Sequence, residues 1–426
     1  MVSEGDRSAR TLPASAAGPE LVVMGANHRT ALLERRETLL RNATYRRVRA
    51  VAGSSPPWTD LVLLTTCNRI EVYLITSTPR AAVHAVAETL GVPATSDEVY
   101  VLREQEAAAH LLRVAAGLDS LAQGESQVAA QVRGAPSVRP RTARHSGGLA
   151  HVFERAAREA PRIRKAAGLE GKDISASHAA LRFIHACVPV AHPTIALLGT
   201  GKMARIAAGS LRERVTVLVA NRDASRAREV ARGLGGKGYG LQDLDAVLAT
   251  ADVVLAATAT RKPLVSANRV RRVLHRRAGR PLWFIDLGFP RNIDPASREV
   301  RGVTLVDIDG LAPWGAQPLP PAAHARAEAR IRDVAEALVA SLRPEPAADV
   351  AALRRTAEAL RRREVAEALA RLPDLSDADR AVVDKLASRL VNRFLHAPTE
   401  QLRSIPEETR VEVVQGLLRG LGGTSR

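Results

Sequence analysis

Thr194-Ile-Ala-Leu-Leu-Gly199-Thr-Gly201-Lys-Met-Ala204 is the stretch that decides the fold. The apolar run Ile195–Leu198 reads as a buried strand, and the glycine turn after it opens a helix over 201–212. Gly199 permits the tight turn, and Gly201 lets backbone approach a pyrophosphate lying on the positive helix N-terminus. Ala204 stands where a third glycine is usual, at a position that needs only to be small. Working outward, strands at 215–219, 252–258 and 282–287 alternate with a helix at 223–234. That rhythm predicts a parallel, doubly wound sheet. Candidate cofactor contacts are therefore Gly199, Thr200, Gly201, Lys202, Met203 and Ala204, with Asn221 and Arg222 at the end of the second strand. Val219-Ala-Asn-Arg222 holds no acidic residue for the ribose hydroxyls of NAD. Arg222, with Arg226 one turn later, offers guanidinium to a 2′-phosphate instead, so NADPH is the expected cofactor. The plainer reading of these arginines is a solvated helix start.

Strands over 20–26, 60–66 and 70–76, and helices over 81–90 and 104–116, give the preceding stretch an α+β pattern with Cys67 in a tight connection between two strands. Residues 136–148 read as a loop or broken helix, followed by helices at 149–167 and 175–187. From about residue 316 strands cease. Ile331, Val334, Leu338 and Leu342 recur at helical spacing, as do Leu386, Leu390, Phe394 and Leu395. Such stripes pack on each other or on a second subunit. The expected fold class is thus α/β multidomain: a tail over 1–19, an α+β catalytic domain over 20–160, a Rossmann-like doubly wound domain over 161–315 and an all-helical end over 316–426.

Composition excludes several classes. At 46% hydrophobic and 25% charged the chain is globular, and no apolar run approaches the ~20 residues of a membrane span. The first twenty residues lack the apolar core of a secretion signal, so a soluble cytoplasmic protein is expected. Two cysteines, Cys67 and Cys187, are too few for a disulfide framework or a thiolate metal site. His185, His192 and His324 have no companions at metal-ligand spacing, so no metal is expected. A net charge of +17 suits a polyanionic partner, although 56 Arg against 6 Lys also fits a GC-rich genome. With aromatics at 3%, phosphate contacts rather than base stacking would carry nucleic-acid binding.

The thiol decides the chemistry. A single cysteine is by default a small buried hydrophobe. Thr65-Thr66-Cys67-Asn68-Arg69, however, places it among hydroxyls, an amide and a cation, and a nearby guanidinium is expected to lower its pKa. A thiolate combined with a hydride donor suggests attack on an activated acyl group, a thioester, and reduction to an aldehyde.

Five segments carry a resemblance over nearly the whole chain. They are Gly25-Ala-Asn-His28-Arg-Thr30, Thr66-Cys-Asn-Arg-Ile-Glu71, Gly117-Leu-Asp-Ser120-Leu-Ala-Gln-Gly124-Glu125-Ser-Gln127, Asp286-Leu-Gly-Phe-Pro290-Arg291-Asn-Ile-Asp294-Pro295 and Leu390-Val-Asn392-Arg-Phe-Leu-His396-Ala-Pro398-Thr399. In this order, and bracketing the nucleotide turn, they resemble the glutamyl-tRNA reductases. The resemblance implies NADPH-dependent reduction of glutamyl-tRNA(Glu) to glutamate-1-semialdehyde through a cysteine thioester. That is the first step of one route to 5-aminolevulinate and tetrapyrroles. It implies Cys67 as nucleophile, with Thr66, Cys67, Asn68 and Arg69 holding the glutamyl group, and Arg69 the cation for its carboxylate. Ser120, Glu125, Ser126, Gln127 and Gln131 fall on the family's other substrate positions. His110 aligns with a histidine important for activity, near the reacting acyl group. His28 is assigned to positioning and Cys187 to packing. A homodimer is implied, as is hand-over of the aldehyde to glutamate-1-semialdehyde aminomutase.

The chain departs from the family pattern at Leu32 and Ser126, where proline is usual, and at Pro136 and Pro140, where helix is usual. These changes leave the thiol and the nucleotide turn intact. They suit either a diverged copy feeding secondary metabolism or a copy with reduced activity. The rival readings are a dehydrogenase of small hydroxy-acids that ignores Cys67, and a non-catalytic tRNA-binding relative.

Overall fold

The computed structural model describes residues 19–52, 55–120, 124–125, 127–135, 137–138, 148–170, 175–201, 215–258, 260, 262–315, 319–342, 346–372, 375–404, 413 and 416–417. Glu20–Val339 forms one compact unit, and the residues from Ala340 onward form a second.

The first unit opens with β1 (Glu20–Asn27), α1 (Leu33–Asn42), α2 (Tyr45–Ala52), β2 (Asp60–Thr65), β3 (Arg69–Thr76), α3 (Pro79–Leu90), β4 (Tyr100–Arg103), α4 (Glu104–Ala115), α5 (Gln127–Gly134), β5 (Ser137–Val138), α6 (Leu149–Ala166) and α7 (Ala176–Cys187). The strands form an antiparallel sheet in the order β4-β1-β3-β2-β5. Both central strands are buried on both faces, which is why they read as continuous apolar runs. Strand alternation then sorts their side chains. Ile70, Val72 and Leu74 pack with Val22, Met24, Val83 and Val86 on one side. Glu71 and Tyr73 face the other, where Tyr73 meets Phe153 of α6 edge-on at 5.0 Å. Gly25 pairs with Glu71 across the ladder, and a Cβ there would lie 2.7 Å from the Glu71 Cγ. The glycine makes room for a buried carboxylate.

The second sheet comprises β6 (Thr194–Leu198), β7 (Thr216–Asn221), β8 (Lys237–Gly240), β9 (Val253–Ala256), β10 (Leu282–Asp286) and β11 (Val303–Asp307). Helices α8 (Ala224–Gly233), α9 (Leu244–Thr250) and α10 (Ala267–Leu274) lie between these strands in the chain. All neighbours run parallel, in the order β11-β10-β9-β6-β7-β8. This is the expected doubly wound sheet, and its order reverses between β6 and β9. Ile195, Leu197, Val219, Leu255 and Ile285 pack on one face with Phe183 and Ile184 of α7, while Ala196, Leu198, Ala220, Val254 and Phe284 pack on the other with Val247 and Val270. Burying such side chains is worth about 1.5–3 kcal/mol each for the larger ones.

Helix α11 (Pro321–Leu342) follows. Its Glu328 pairs with Arg113 and its Arg330 with Glu159, each at 2.6 Å, tying it to α4 and α6. The compact division falls inside this helix, after Val339, rather than at 316 where strands cease. In the second unit α12 (Pro346–Ala370) packs on α13 (Asp377–Ser404), with Arg361 bridging Glu358 and Asp384. Among the described residues, no helix is long and apolar enough to cross a membrane.

The differences from expectation are local. Strands β4, β8 and β11 were not anticipated. The strand expected over 252–258 is the shorter Val253–Ala256. Ser137–Val138, inside the stretch read as a loop, adds a short edge strand beside β2. The helix expected over 201–212 lies outside the described residues beyond Gly201, as do Pro136 and Pro140.

Candidate active site

Cys67 sits in the turn between β2 and β3. The Thr66 N–H donates to the Arg69 carbonyl at 3.0 Å, and the Asn68 N–H donates to Thr66 Oγ1 at 3.2 Å. The His28 N–H, just past β1, donates to the Asn68 carbonyl at 3.1 Å. One more clamp comes from α1, whose Arg36 Nη1 donates to the Cys67 carbonyl at 3.1 Å. The turn is therefore closed by two bonds of its own and held by two from outside. Cys67 itself packs against the apolar cluster that covers one face of the parallel sheet, beside Leu33 and Phe289. The thiol lies where the two sheets' modules meet.

Because Arg69 and Glu71 are two apart on one strand, both point to the same buried face. Arg69 Nη1 pairs with Glu71 Oε1 at 2.9 Å and with Asp119 Oδ2 at 3.0 Å, and its Nη2 donates to the Asp119 carbonyl. Glu71 also takes Tyr100 Oη at 2.6 Å, Tyr73 Oη at 2.8 Å and His110 Nε2 at 2.8 Å. Burial alone would raise the Glu71 carboxyl, but His110 and Arg69, with the hydrogen bonds from His110 and Tyr100, hold it far below the carboxylate range. Burial likewise works against the Arg69 cation, and Glu71, Tyr100 and Asp119 more than reverse it. Charges taken out of water persist only when paired this completely.

That pairing corrects the expected thiol chemistry. Burial pushes Cys67 up to about 12 from an ordinary 9.0, and the Glu125 carboxylate adds to the rise; Arg69 and Arg36 oppose it without prevailing. A guanidinium two residues on does little to favour thiolate when its charge is already answered by Glu71 and Asp119. Arg69, expected to meet the substrate carboxylate, is only 1% exposed and turned inward. Burial also lowers His28 to about 4, with Arg29, Arg69 and Arg36 reinforcing it against Asp119, so its imidazole is neutral. Two buried polar atoms here, His28 Nδ1 and Asn68 Oδ1, make no hydrogen bond among the described residues.

The other substrate positions divide. Gly117, with φ of 72°, ends α4 against the backbone of Glu125, where a Cβ would come within 2.5 Å of its carbonyl oxygen. This close approach brings buried Asp119, Ser120 and Glu125 into one neighbourhood, and Asp119 joins it to Arg69 and to Arg29 at 3.1 Å. His110 is reached through Glu71. Gln131 is exposed on α5, and among the described residues no hydrogen bond or ion pair links it to the thiol turn. Ser126 and the Gln127 side chain lie outside the described residues.

The nucleotide turn stands at the switch point of the parallel sheet. Gly199 has φ of 107°, and a Cβ would lie 2.8 Å from the Ala257 carbonyl oxygen beyond β9. Gly201 is exposed, as backbone approach to a phosphate requires. Asn221 Nδ2 donates to Thr200 Oγ1 at 3.1 Å, linking the end of β7 to the turn. Thr200, Asp223, Ser225, Arg226, Glu229 and Val230 line a cavity of about 420 Å³, with Arg222 exposed beside it. Asp223 is the acidic residue nearest the end of β7, but its Oδ1 caps α8 by accepting from the Ser225 and Arg226 N–H groups. The described part of this cradle, a glycine turn at a strand end beside exposed arginines, suits the phosphate and ribose end of a nucleotide. Lys202, Met203 and Ala204 lie outside the described residues.

Sequence reasoning missed Arg36, Glu71, Tyr100 and Asp119. A signal existed for one of them: Arg69 and Glu71 are opposite charges at strand spacing inside a run otherwise fit for burial.

Three family models match the chain. The glutamyl-tRNAGlu reductase N-terminal domain covers residues 24–167, shikimate/quinate 5-dehydrogenase covers 185–313, and the glutamyl-tRNAGlu reductase dimerisation domain covers 326–420. Glutamyl-tRNA reductase of Alcanivorax borkumensis is 32% identical over 407 residues, spanning 92% of this chain and 96% of that protein. The Moorella thermoacetica glutamyl-tRNA reductase is 33% identical, spanning 90% of each. Among solved structures, glutamyl-tRNA reductase from Methanopyrus kandleri matches with 28% identity and a TM-score of 0.47, over 95% of this chain and 99% of that one.

Proposed function

The chain belongs to the glutamyl-tRNA reductase family, and we propose that it reduces the glutamyl ester of charged tRNA(Glu) to glutamate-1-semialdehyde through a thioester on Cys67. The observation that carries this reading is the placement of Cys67: clamped by backbone bonds in a strand turn, and packed where the antiparallel and parallel modules meet. A nucleophile must be held still to gain from proximity, and its acyl product must face a hydride source.

In this scheme the Cys67 sulfur bonds to the ester carbon, the bond to the tRNA ribose oxygen breaks, and the thiol proton ends on that oxygen as the free hydroxyl of the released tRNA. Glu125 is the carboxylate whose field reaches the thiol, and in this reading it takes that proton and passes it to the leaving oxygen. Thr66, Asn68 and Ser120 are buried polar residues at and near the turn, and Asn68 Oδ1 and His28 Nδ1, without hydrogen bonds among the described residues, suit polar atoms of the glutamyl group. Arg69 holds the turn in place through Glu71 and Asp119. His110, hydrogen-bonded to Glu71, fixes that carboxylate, and its replacement by Asn is expected to lower turnover more than tRNA binding. Bound NADPH supplies the hydride. Gly199, Thr200, Gly201 and Asn221 would hold it, while Arg222 and Arg226 favour the 2′-phosphate over a bare ribose.

The remaining assignments follow from the same reading. Domains over 20–160, 161–315 and 316–426 would catalyse, bind cofactor and dimerise. In support of a homodimer, Val382, Leu386, Leu390 and Phe394 recur every fourth residue along α13 and are 48–77% exposed. The reaction would run in the cytoplasm, with the aldehyde received by glutamate-1-semialdehyde aminomutase.

The deciding experiment incubates the protein with radiolabelled glutamyl-tRNA and no cofactor. A labelled, thiol-sensitive adduct that Cys67→Ser abolishes is expected. Bound tRNA without an adduct overturns the mechanism.

A further inference from the structure

Two consecutive residues of helix α1 link the thiol turn to the nucleotide module: Arg36 touches both, and Glu37 holds the second. Arg36 is 0% exposed. Its Nε donates to the Ala31 carbonyl at 3.1 Å and its Nη1 to the Cys67 carbonyl at 3.1 Å. Its Nη2 pairs with Asp309, just past β11, and its Cζ stands 5.8 Å from the ring centroid of Phe289. The next residue, Glu37, receives a complete fork from the loop after β10. Arg291 donates to it from the backbone N–H at 2.7 Å, from Nε at 3.2 Å and from Nη2 at 2.8 Å. Arg291 Nη1 reaches Glu34 at 3.3 Å.

Desolvating so many charges at a seam between modules is costly unless each partner is in register. A seam needed only for cohesion is served as well by apolar packing, which Leu33 and Phe289 already provide. The polar partners are also specific. Arg36 grips the peptide that carries the nucleophile, and its outer partners come from the module that binds the cofactor. One guanidinium therefore reads the position of both reacting parts.

Resting on the function proposed above, we propose that Arg36 is a positioning residue for the reduction step, with Glu37–Arg291 as its clasp, setting the acylated Cys67 against the nucleotide module rather than against water. Two fates compete for the thioester. Hydride adds to its carbonyl carbon, the C–S bond breaks, sulfur regains a proton and the aldehyde leaves. Alternatively a water oxygen adds, the same bond breaks and free glutamate leaves. Misplacement of the reacting centres by about 1 Å costs roughly 100-fold in rate. Loosening the clasp shifts the partition toward glutamate, while the earlier attack on the ester, which needs no cofactor, continues.

The test uses the full chain, radiolabelled glutamyl-tRNA, and near-isosteric substitutions, Glu37→Gln and Asp309→Asn. Three quantities are read: the rate of labelling without cofactor, and semialdehyde and free glutamate with NADPH. The expected result is a semialdehyde-to-glutamate ratio lowered by about tenfold or more, with labelling within about threefold of the unaltered protein. Retained labelling also certifies that the variant has folded. Arg36→Lys, which keeps one donor for the Cys67 carbonyl but lacks the fork, is expected to fall between. An unchanged ratio overturns the proposal, and so does labelling that falls in parallel with reduction, the mark of general damage. Absence of any adduct in the unaltered protein overturns the functional reading itself, and this proposal with it.

Discussion

The thiol turn and the nucleotide turn are built on opposite principles. Around Thr66–Arg69 the buried charges answer one another: Arg69 to Glu71 and Asp119, Glu71 to His110 and two tyrosines, Arg36 to Asp309. Around Gly199–Gly201 the surface is open, with Gly201, Arg222, Ser225 and Arg226 all exposed. The covalent role proposed for Cys67 calls for a fixed address, with its surroundings completed before substrate arrives. A cofactor that enters and leaves each cycle needs glycine, backbone N–H groups and cations waiting in solvent.

The contrast is broken most severely by Cys67→Ser, which is expected to lower reduction by on the order of a thousandfold or more while tRNA still binds. Residual reduction near the original rate would mean that the closed site is only structural. Next comes Glu71→Gln. Removing one partner from a buried pair should cost about 3–5 kcal/mol, read as a lower denaturant midpoint; an unaltered midpoint would show that the network does not hold the turn. At the open site, Arg222→Ala is expected to raise the KM for NADPH about tenfold and leave that for NADH unmoved, one charge-assisted contact being lost. Equal effects on both cofactors would remove the 2′-phosphate assignment. The smallest effect sharpens the comparison. With Cys67 at about 12, iodoacetamide alkylation should be slow at pH 8 and rise about tenfold per pH unit toward that value, since only thiolate reacts. Glu125→Gln removes a charge that raises this pKa, so alkylation should quicken a few-fold. Transfer of the glutamyl group from tRNA should slow in the same variant if Glu125 takes the proton. Both rates moving together would take Glu125 out of that role.

Legibility in the sequence followed the range of the interactions. Strands such as Thr194–Leu198 and Leu282–Asp286 could be read because apolar runs and a glycine turn are local signals. Tyr100–Arg103 and Lys237–Gly240 could not, being four residues long and defined by their neighbours' edges. The nucleotide turn was legible because its chemistry lies in consecutive residues. For the thiol turn the residues were visible but not their electrostatics, because Asp119 lies 50 positions from Arg69 and nothing nearby announces that the guanidinium is already occupied. The link from Arg36 to Asp309 spans 273 positions, and in sequence Arg36 is one arginine of a helix beginning Leu-Glu-Arg-Arg.

The protonated state of Cys67 bears on how the protein survives between turnovers. Peroxide attacks thiolates, converting them to sulfenic acid and then to species that are not readily restored. A thiol held at about 12 and packed against an apolar cluster offers almost no thiolate to such oxidants at neutral pH. The features that make the resting thiol a poor nucleophile therefore make it durable. The expected consequence is slow inactivation of the substrate-free protein by peroxide, faster once an acyl substrate is bound.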